Sequence, residues 1–573
     1  MRLVLLIIII SLTFSQAHKT HFEKTNGLES SHPDDVISYY QNLSKSFKQI
    51  NIAKIGEGDS GRPIYNVIVS NDGITSPKKL NGRAVIFVLN GIHSGEACGI
   101  DATQMLVRDL ALQMKSGKYE NTVFITIPVF NVGGHANFHP YNRVNQNGPK
   151  EMGFRANSKN LNLNRDFMKA ETANLHAFKS SFHLWNPHVF IDNHSTNGAD
   201  YQYNLTYMIN ETDDTIEPMK NYVRNTFLPH LESEMKKQND PISPYVNLKK
   251  NGDISKGLNY YMLTGRFSTM YASFFNAVSV LVETHMLKPF KTRVESNNRF
   301  MWTILKKTDK DFKEVIAINE KSDSAIKAKS NYGISWKRDN TQSETIDFLG
   351  FEYSKVLDPI SNMAWVKYDS SKPKTIKLPH YKTFKPRKTV VFPKSYIIPR
   401  TWKNIATKLK HSGVRVTEVT ENKVVSIEEY KFTKLEWRSR PFEGEFLPKS
   451  FKYDTIKKKM MLKKGDFIVP MNQSSNRFII EALAPDAADS FFRWGMFNSV
   501  FTQIEYFSPY LFVDKVEQIF KENPQLKEDF YTKLKSDTAF AKNSYGRLNY
   551  IYKRSNYAEK DYMVYPIKRL VEN

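Results

Sequence analysis

At 573 residues the chain is too long for one ordinary core, and two or three domains are expected. Lys and Arg number 82 against 59 Asp and Glu, a net charge of +23, but no zinc-finger spacing accompanies it; a solvated lysine surface or an anionic neighbour fits this balance better than a specific nucleic acid. Cys98 is the only cysteine, which excludes an intrachain disulfide and leaves stability to a large apolar core.

The chain opens as an export signal. Met1-Arg2 carries one positive charge, Leu3–Phe14 is nearly continuously apolar, and Ser15-Gln16-Ala17 has the small-x-small form of a cleavage site. Residues 1–17 are therefore expected to be a signal peptide, and the product to be periplasmic or extracellular. No later segment holds about 18 uninterrupted apolar residues, so no transmembrane segment is expected in the mature chain. Only about 15 residues separate the signal from the first helix, which leaves no length for a long pro-segment.

Pro33 with Asp34 and Asp35 in the first turn predicts a helix over His32–Phe47. Gly61–Ser70 and Ala84–Gly91 read as strands, and Gly95–Met114 has apolar residues at helical spacing. Thr122–Asn131, His188–His194 and Val278–His285 read as further strands. Strands apolar throughout, alternating with helices, predict a largely parallel sheet covered on both faces. The pattern fades near Asn297, and a helical stretch follows to about Lys327. From Asn331 the texture changes to dense Lys, Tyr and Phe with short β-like runs such as Thr389–Pro393 and a helix-like segment over Thr401–Gly413. Residues 18–330 are thus expected to form the main α/β domain and 331–573 an α+β accessory region of one or two small domains. The basic run Lys457–Lys464 reads as a solvated face.

Ligands in open α/β sheets bind at the carboxyl ends of the strands. After Ala84–Leu89 stand His93 and Glu96; at the end of the strand His188–Asn193 stands His194; at the end of Val278–Val282 stands Glu283. Two histidines and a carboxylate make a catalytic zinc set with a position left for water. A second carboxylate beside that water can take its proton. Between these strand ends lie Arg155 and the pair Asn164-Arg165, and arginine binds carboxylates through a planar fork. Each piece alone also has an ordinary structural reading; their appearance together at successive strand ends is what points to a site.

The order His-x-x-Glu, Arg, Asn-Arg, His, Glu resembles the zinc carboxypeptidases, the funnelin class of metallopeptidases. The likeness runs from about Asp34 to Val294 and includes the lead-in Ile55–Ser70. It implies an eight-stranded mixed sheet between helices and one zinc per chain held by His93, Glu96 and His194. It also implies Glu283 as general base, Arg155 polarising the scissile carbonyl, and Asn164 with Arg165 gripping a C-terminal carboxylate of a peptide substrate. A family tyrosine lies on a loop before the base: Tyr260 and Tyr261 match its approximate spacing, Tyr271 is a rival, and Tyr261 is carried forward. Arg266 on the same loop is an extra cation for an acidic substrate group, and Ser268 falls near the position that lines the specificity pocket.

One departure concerns the residue two before the Asn-Arg pair, often Asp in the family and here Asn162. An amide oxygen can accept a histidine N–H without charge, and Asp166 and Asp192 are rival carboxylates for such a role. An Asp-x-His pattern, Asp192 and His194, also resembles relatives that cleave an acyl group from an amino acid. The expected activity is C-terminal peptide hydrolysis. The alternatives are a cell-wall peptide amidase or amino-acid deacylase on the same fold, and an inactive binding or scaffold protein.

Overall fold

The computed structural model describes residues 18–196 and 198–572; the expected signal segment, 1–17, lies outside them. By compactness the chain divides into two units. The first runs to Phe392 and takes in Asn404–Val416 and Pro470–Ser490; the second comprises Pro393–Lys403, Thr417–Val469 and Phe491–Asn573.

The first unit is built on strands β1 (Ile50–Glu57), β2 (Pro63–Val69), β3 (Ala84–Asn90), β4 (Thr122–Ile127), β5 (Val189–Ser195), β6 (Leu205–Ile209) and β7 (Ile242–Pro244). The short β8 (Leu258–Asn259) and then β9 (Val278–Thr284) follow. Eight of these nine form one mixed sheet in the order β1-β2-β4-β3-β5-β9-β6-β7, whose four central strands are parallel. Its helices include α1 (Pro33–Ser46), α2 (Cys98–Lys115), α3 (Ala173–Trp185), α4 (Phe290–Lys310) and α5 (Phe312–Ala328). The expected architecture is present: β3, β4 and β5 are buried along their whole length, as strands covered on both faces must be.

Alternation sorts the two faces of the sheet. Val189 and Ile191 of β5 join the core built with α2 and α4. Phe190 points the other way, among Phe87, Phe178 and Phe182. Asp192 and His194 continue the Phe190 face, since side chains two apart on a strand share a face. The first turn of α2 packs tightly on the strand ends: a Cβ on Gly99 would meet Asn193 Cβ at 2.3 Å and Asn90 Oδ1 at 2.6 Å. Gly91, with φ +65°, turns the chain out of β3 into the segment that carries His93 and Glu96.

β1, β6 and β7 are strands not expected from the sequence, and the boundary expected at 330 is not where the compact unit ends. After α5 come β10 (Asn331–Arg338), β11 (Glu344–Leu357), β12 (Ala364–Tyr381) and β13 (Phe384–Val391), all in the first unit. β11 and β12 form a long hairpin, and β12 pairs in parallel with β8. Helix α6 (Lys403–His411) lies largely within the Asn404–Val416 segment. Lys179 Nζ donates to Ser412 Oγ at 2.9 Å, and Arg477 donates to the carbonyls of Ser273 and Asp214 at 2.6 and 2.9 Å. The change of texture near 331 marks a change of secondary structure, while these buried polar contacts keep later segments within the first unit.

The second unit carries a sheet of six strands. Two of them, Lys423–Trp437 and Pro448–Leu462, form a long antiparallel hairpin whose Lys457, Lys458 and Lys459 are exposed. Helices Pro509–Glu522, Pro524–Ser536 and Ser544–Tyr552 share a small core around Phe512, Phe520 and Phe530.

Candidate active site

The ends of β3, β5 and β9 converge, with His194 and Glu283 facing each other in register. Ligand atoms of His93, Glu96 and His194 all lie within 4.8 Å of one another, and all three residues are buried. Nδ1 of His93 and Nδ1 of His194 are 3.2 Å apart. Glu96 Oε1 lies 3.2 Å from His93 Nδ1, and Glu96 Oε2 lies 2.9 Å from His194 Nδ1.

The outer nitrogens explain why the inner ones point together. His93 Nε2 lies 3.0 Å from Asn162 Oδ1, and His194 Nε2 lies 2.7 Å from Asp192 Oδ2. A hydrogen bond donated through Nε2 leaves the Nδ1 lone pair facing the centre, the arrangement that orients metal-binding imidazoles. Ser268 Oγ donates to the same Asp192 oxygen, and Ser268 N donates to Asn164 Oδ1 at 3.0 Å. Asp166, the other rival carboxylate, is bound instead by the Thr172 hydroxyl and backbone amides of Glu171 and Thr172.

The histidines differ electrically. Burial pushes His93 down to about 4, against the pull of Glu96. For His194 burial acts the same way, but the charge and hydrogen bond of Asp192, with Glu96, outweigh it and hold the ring well above its ordinary value. Burial alone would raise Glu96; His93, Arg143 and His194 hold it well below the carboxylate range. Glu283 is the opposite case: burial, with the charges of Glu96 and Asp192, pushes it up to about 8 against the opposing pull of His194 and Arg143.

The strand ends open on a cavity of about 340 Å³. His93, Glu96, His194, Glu283, Arg155, Asn164, Arg165 and Tyr261 all line it. Arg155 is 40% exposed and lies 3.1 Å from Glu96 Oε1. The Arg165 guanidinium stacks 4.5 Å over Phe267 and donates to the Asn164 carbonyl at 2.7 Å. Of the three tyrosines, only Tyr261, 48% exposed, reaches the cavity. Tyr260 is buried and donates to the Ile209 carbonyl at 2.6 Å, and Tyr271 is buried with its hydroxyl 2.7 Å from His183 Nε2.

Two expectations are corrected. Arg266 does not line the cavity: its Nε and backbone N donate to Asp489 at 2.7 and 2.9 Å. Ser268 is fully buried beneath the site on Asp192 and Asn164, so apolar side chains, Met208, Leu263 and Leu281, form the wall that it was expected to line. Other site residues were missed. Arg143 donates to Glu96 Oε1 at 2.8 Å, and Tyr245, Asn247 and Thr196 line the cavity. No spacing rule marks Arg143, which lies in a loop distant from any strand end; the only signal is its position between the His93-Glu96 motif and His194.

The site fits a metal ion. Three donors of the types zinc prefers converge with their lone pairs inward, and two are oriented from behind by oxygen partners. Such a cluster on the carboxyl ends of parallel strands is the arrangement that a metal-dependent hydrolase requires.

Known proteins share this pattern. Residues 36–254 match the family described as Zinc carboxypeptidase, a span that contains His93, Glu96, Arg155, Asn164, Arg165 and His194. Carboxypeptidase 2 of Trichophyton rubrum is 19% identical over 461 residues, covering 77% of this chain and 79% of its own, and Carboxypeptidase 2 of Trichophyton equinum is 18% identical over 459. Among solved structures, a metallo-carboxypeptidase from Burkholderia cenocepacia is 15% identical, with a TM-score of 0.35, covering 48% of this chain and 68% of its own. Carboxypeptidase A from Helicoverpa armigera is 14% identical, with a TM-score of 0.35, covering 51% and 73%. The chain thus carries a zinc carboxypeptidase match over residues 36–254 and is similar, over 77% of its length, to proteins named carboxypeptidase.

Proposed function

We propose that the protein is an exported carboxypeptidase that binds one zinc ion through His93, Glu96 and His194 and removes the C-terminal residue of peptides. The observation that carries this reading is the meeting, in one cavity, of the three-ligand cluster, a carboxylate with a raised pKa and an Asn-Arg pair. When bound, zinc supplies Lewis acidity, which makes water a nucleophile at neutral pH and polarises a carbonyl.

The chain's own residues do the rest. Glu283 takes the proton of the attacking water and delivers it to the leaving amine. Its raised pKa suits both tasks, since a group that titrates near working pH accepts and returns a proton readily. A neighbouring dication opposes the push from Glu96 and Asp192 and draws that pKa downward. Arg155 faces the oxyanion that develops on the attacked carbonyl. Arg165, flattened against Phe267, and Asn164 hold the terminal carboxylate, and Tyr261 covers the bound residue from the rim. Export is supported by the apolar Leu3–Phe14 segment and its small-x-small site. Among the described residues no helix is long and apolar enough to cross a membrane. Residues 18–330 supply every group named here, and we assign 331–573 an accessory role.

The test is a pair of substrates that differ only at the carboxyl end. A peptide with a free terminus should be cleaved, and its C-terminal amide far more slowly. Equal rates would leave an amidase or endopeptidase on the same site as the better account, and release of amino acid only from acylated amino acids would favour a deacylase. No hydrolysis of any of them by zinc-loaded protein would point to a binding protein.

A further inference from the structure

Two imidazoles also meet outside the cavity. His176 on α3 and His411, the last residue of α6, bring their Nδ1 atoms to 3.2 Å, with ring centroids 5.2 Å apart and planes inclined by 60°. The zinc-ligand pair has nearly the same geometry: Nδ1 atoms 3.2 Å apart, centroids 5.0 Å, planes at 60°. Two nitrogens on one tetrahedral zinc, each bonded at about 2.0–2.1 Å, stand roughly 3.3 Å apart. Both pairs therefore have the separation of two ligands on one ion.

The surroundings decide what kind of ion. Burial first, then His411, Lys408 and Lys179, lower the pKa of His176, which keeps its ring in the neutral form that binds metals. The two lysines are held by their own partners: Lys179 Nζ by Ser412 Oγ at 2.9 Å, and Lys408 Nζ by the carbonyls of Lys169 and Ala170 at 2.8 and 2.9 Å. Asp166, a carboxylate that acts on His176, has its oxygens taken by backbone amides and the Thr172 hydroxyl. A pair of imidazole nitrogens without a free carboxylate selects zinc or copper over magnesium or calcium. His411 is exposed and His176 partly so, which leaves an ion a path from solvent and room for water.

We propose that His176 and His411 form a second transition-metal site, weaker than the three-ligand centre, that ties α6 to α3 when it is filled. Both helices lie largely within the first compact unit, and the pair shares no residue with the cavity. The competing account is a plain hydrogen bond from one Nδ1–H to the other Nδ1.

Metal counting on the zinc-loaded protein separates the two. Dialysed against micromolar free zinc, and separately copper, the wild type should hold one more ion per chain than His411→Ala. Its melting temperature should rise more steeply with free zinc than that of His411→Ala, because each further ion that binds the folded state adds to its stability. His411→Ala should keep full peptidase activity, and His93→Ala should lose the tight ion yet keep the weak one, so failure at one site is distinguishable from failure at the other. Should His176→Ala fail to fold, His411→Ala at the exposed helix end gives the same reading. Equal metal content in wild type and His411→Ala, with parallel melting curves, would overturn the proposal in favour of the hydrogen bond.

Discussion

The end of β3 and the end of β9 each carry a glutamate to one cavity, and the two carboxylates are driven in opposite directions. Beyond β3, Glu96 meets two histidines, two arginines and the Ser195 amide, and is held well below the carboxylate range. On β9, Glu283 makes no ion pair among the described residues, and burial beside Glu96 and Asp192 pushes it up to about 8. One residue type is thus held charged in one place and kept ready to bind a proton in the other, and the neighbours make the difference. The contrast can be tested from both sides.

The largest effect is expected on the ligand side. His93→Ala or His194→Ala should release the tightly bound zinc and abolish hydrolysis, as metal analysis with an activity assay will read; a variant that keeps both its tight zinc and its activity would remove Glu96 and its partners from the metal centre. On the base side, Glu283→Gln should retain zinc and lose about 10²–10⁴-fold in kcat. Turnover near normal would transfer the proton to another carboxylate, with Asp192 the first to examine.

Arg165→Ala should lower kcat/KM for a free-acid peptide by roughly 2–4 kcal/mol and narrow the gap between acid and amide, because it removes one partner of a charged pair formed with substrate. A smaller effect distinguishes the two histidines. Asp192→Asn removes a charge behind His194 and should weaken zinc binding by about 10–100-fold, whereas Asn162→Asp adds one behind His93 and should not weaken it. Competition with a chelator measures both, and a larger loss from Asn162→Asp would invert the assignment.

The smallest effect is a stability profile. Without metal, Glu283 binds its proton more tightly in the folded state than unfolded, so its contribution is fully favourable below the ordinary carboxylate pKa and is lost as pH rises toward about 8. Zinc-free wild type should therefore lose stability relative to Glu283→Gln across that interval. Denaturant unfolding at several pH values checks this, and a constant difference would show that Glu283 has no raised pKa in the folded chain.

The sequence by itself determined the buried central strands and what stands at their ends. β3 and β5 are legible because strands buried on both faces are nearly continuous apolar runs, so His93, Glu96 and His194 stand out where the runs stop. Asp192 is legible as a partner of His194 because two residues apart on a strand means one face. Tertiary structure decided the rest, since it depends on partners far along the chain. Arg266 reads as a free cation on a substrate loop until Asp489, 223 residues later, accepts from it. Ser268 reads as a pocket residue until Asp192, on β5, draws its hydroxyl beneath the site. Neighbouring tyrosines share a sequence environment, yet Tyr260 turns to the Ile209 carbonyl and Tyr261 to the cavity. The extent of the first unit follows the same rule: Ser412, just after α6, and Arg477, in the helix Asn476–Leu483, belong to it through buried polar groups, which must find partners wherever the fold brings them and leave no periodicity in the sequence.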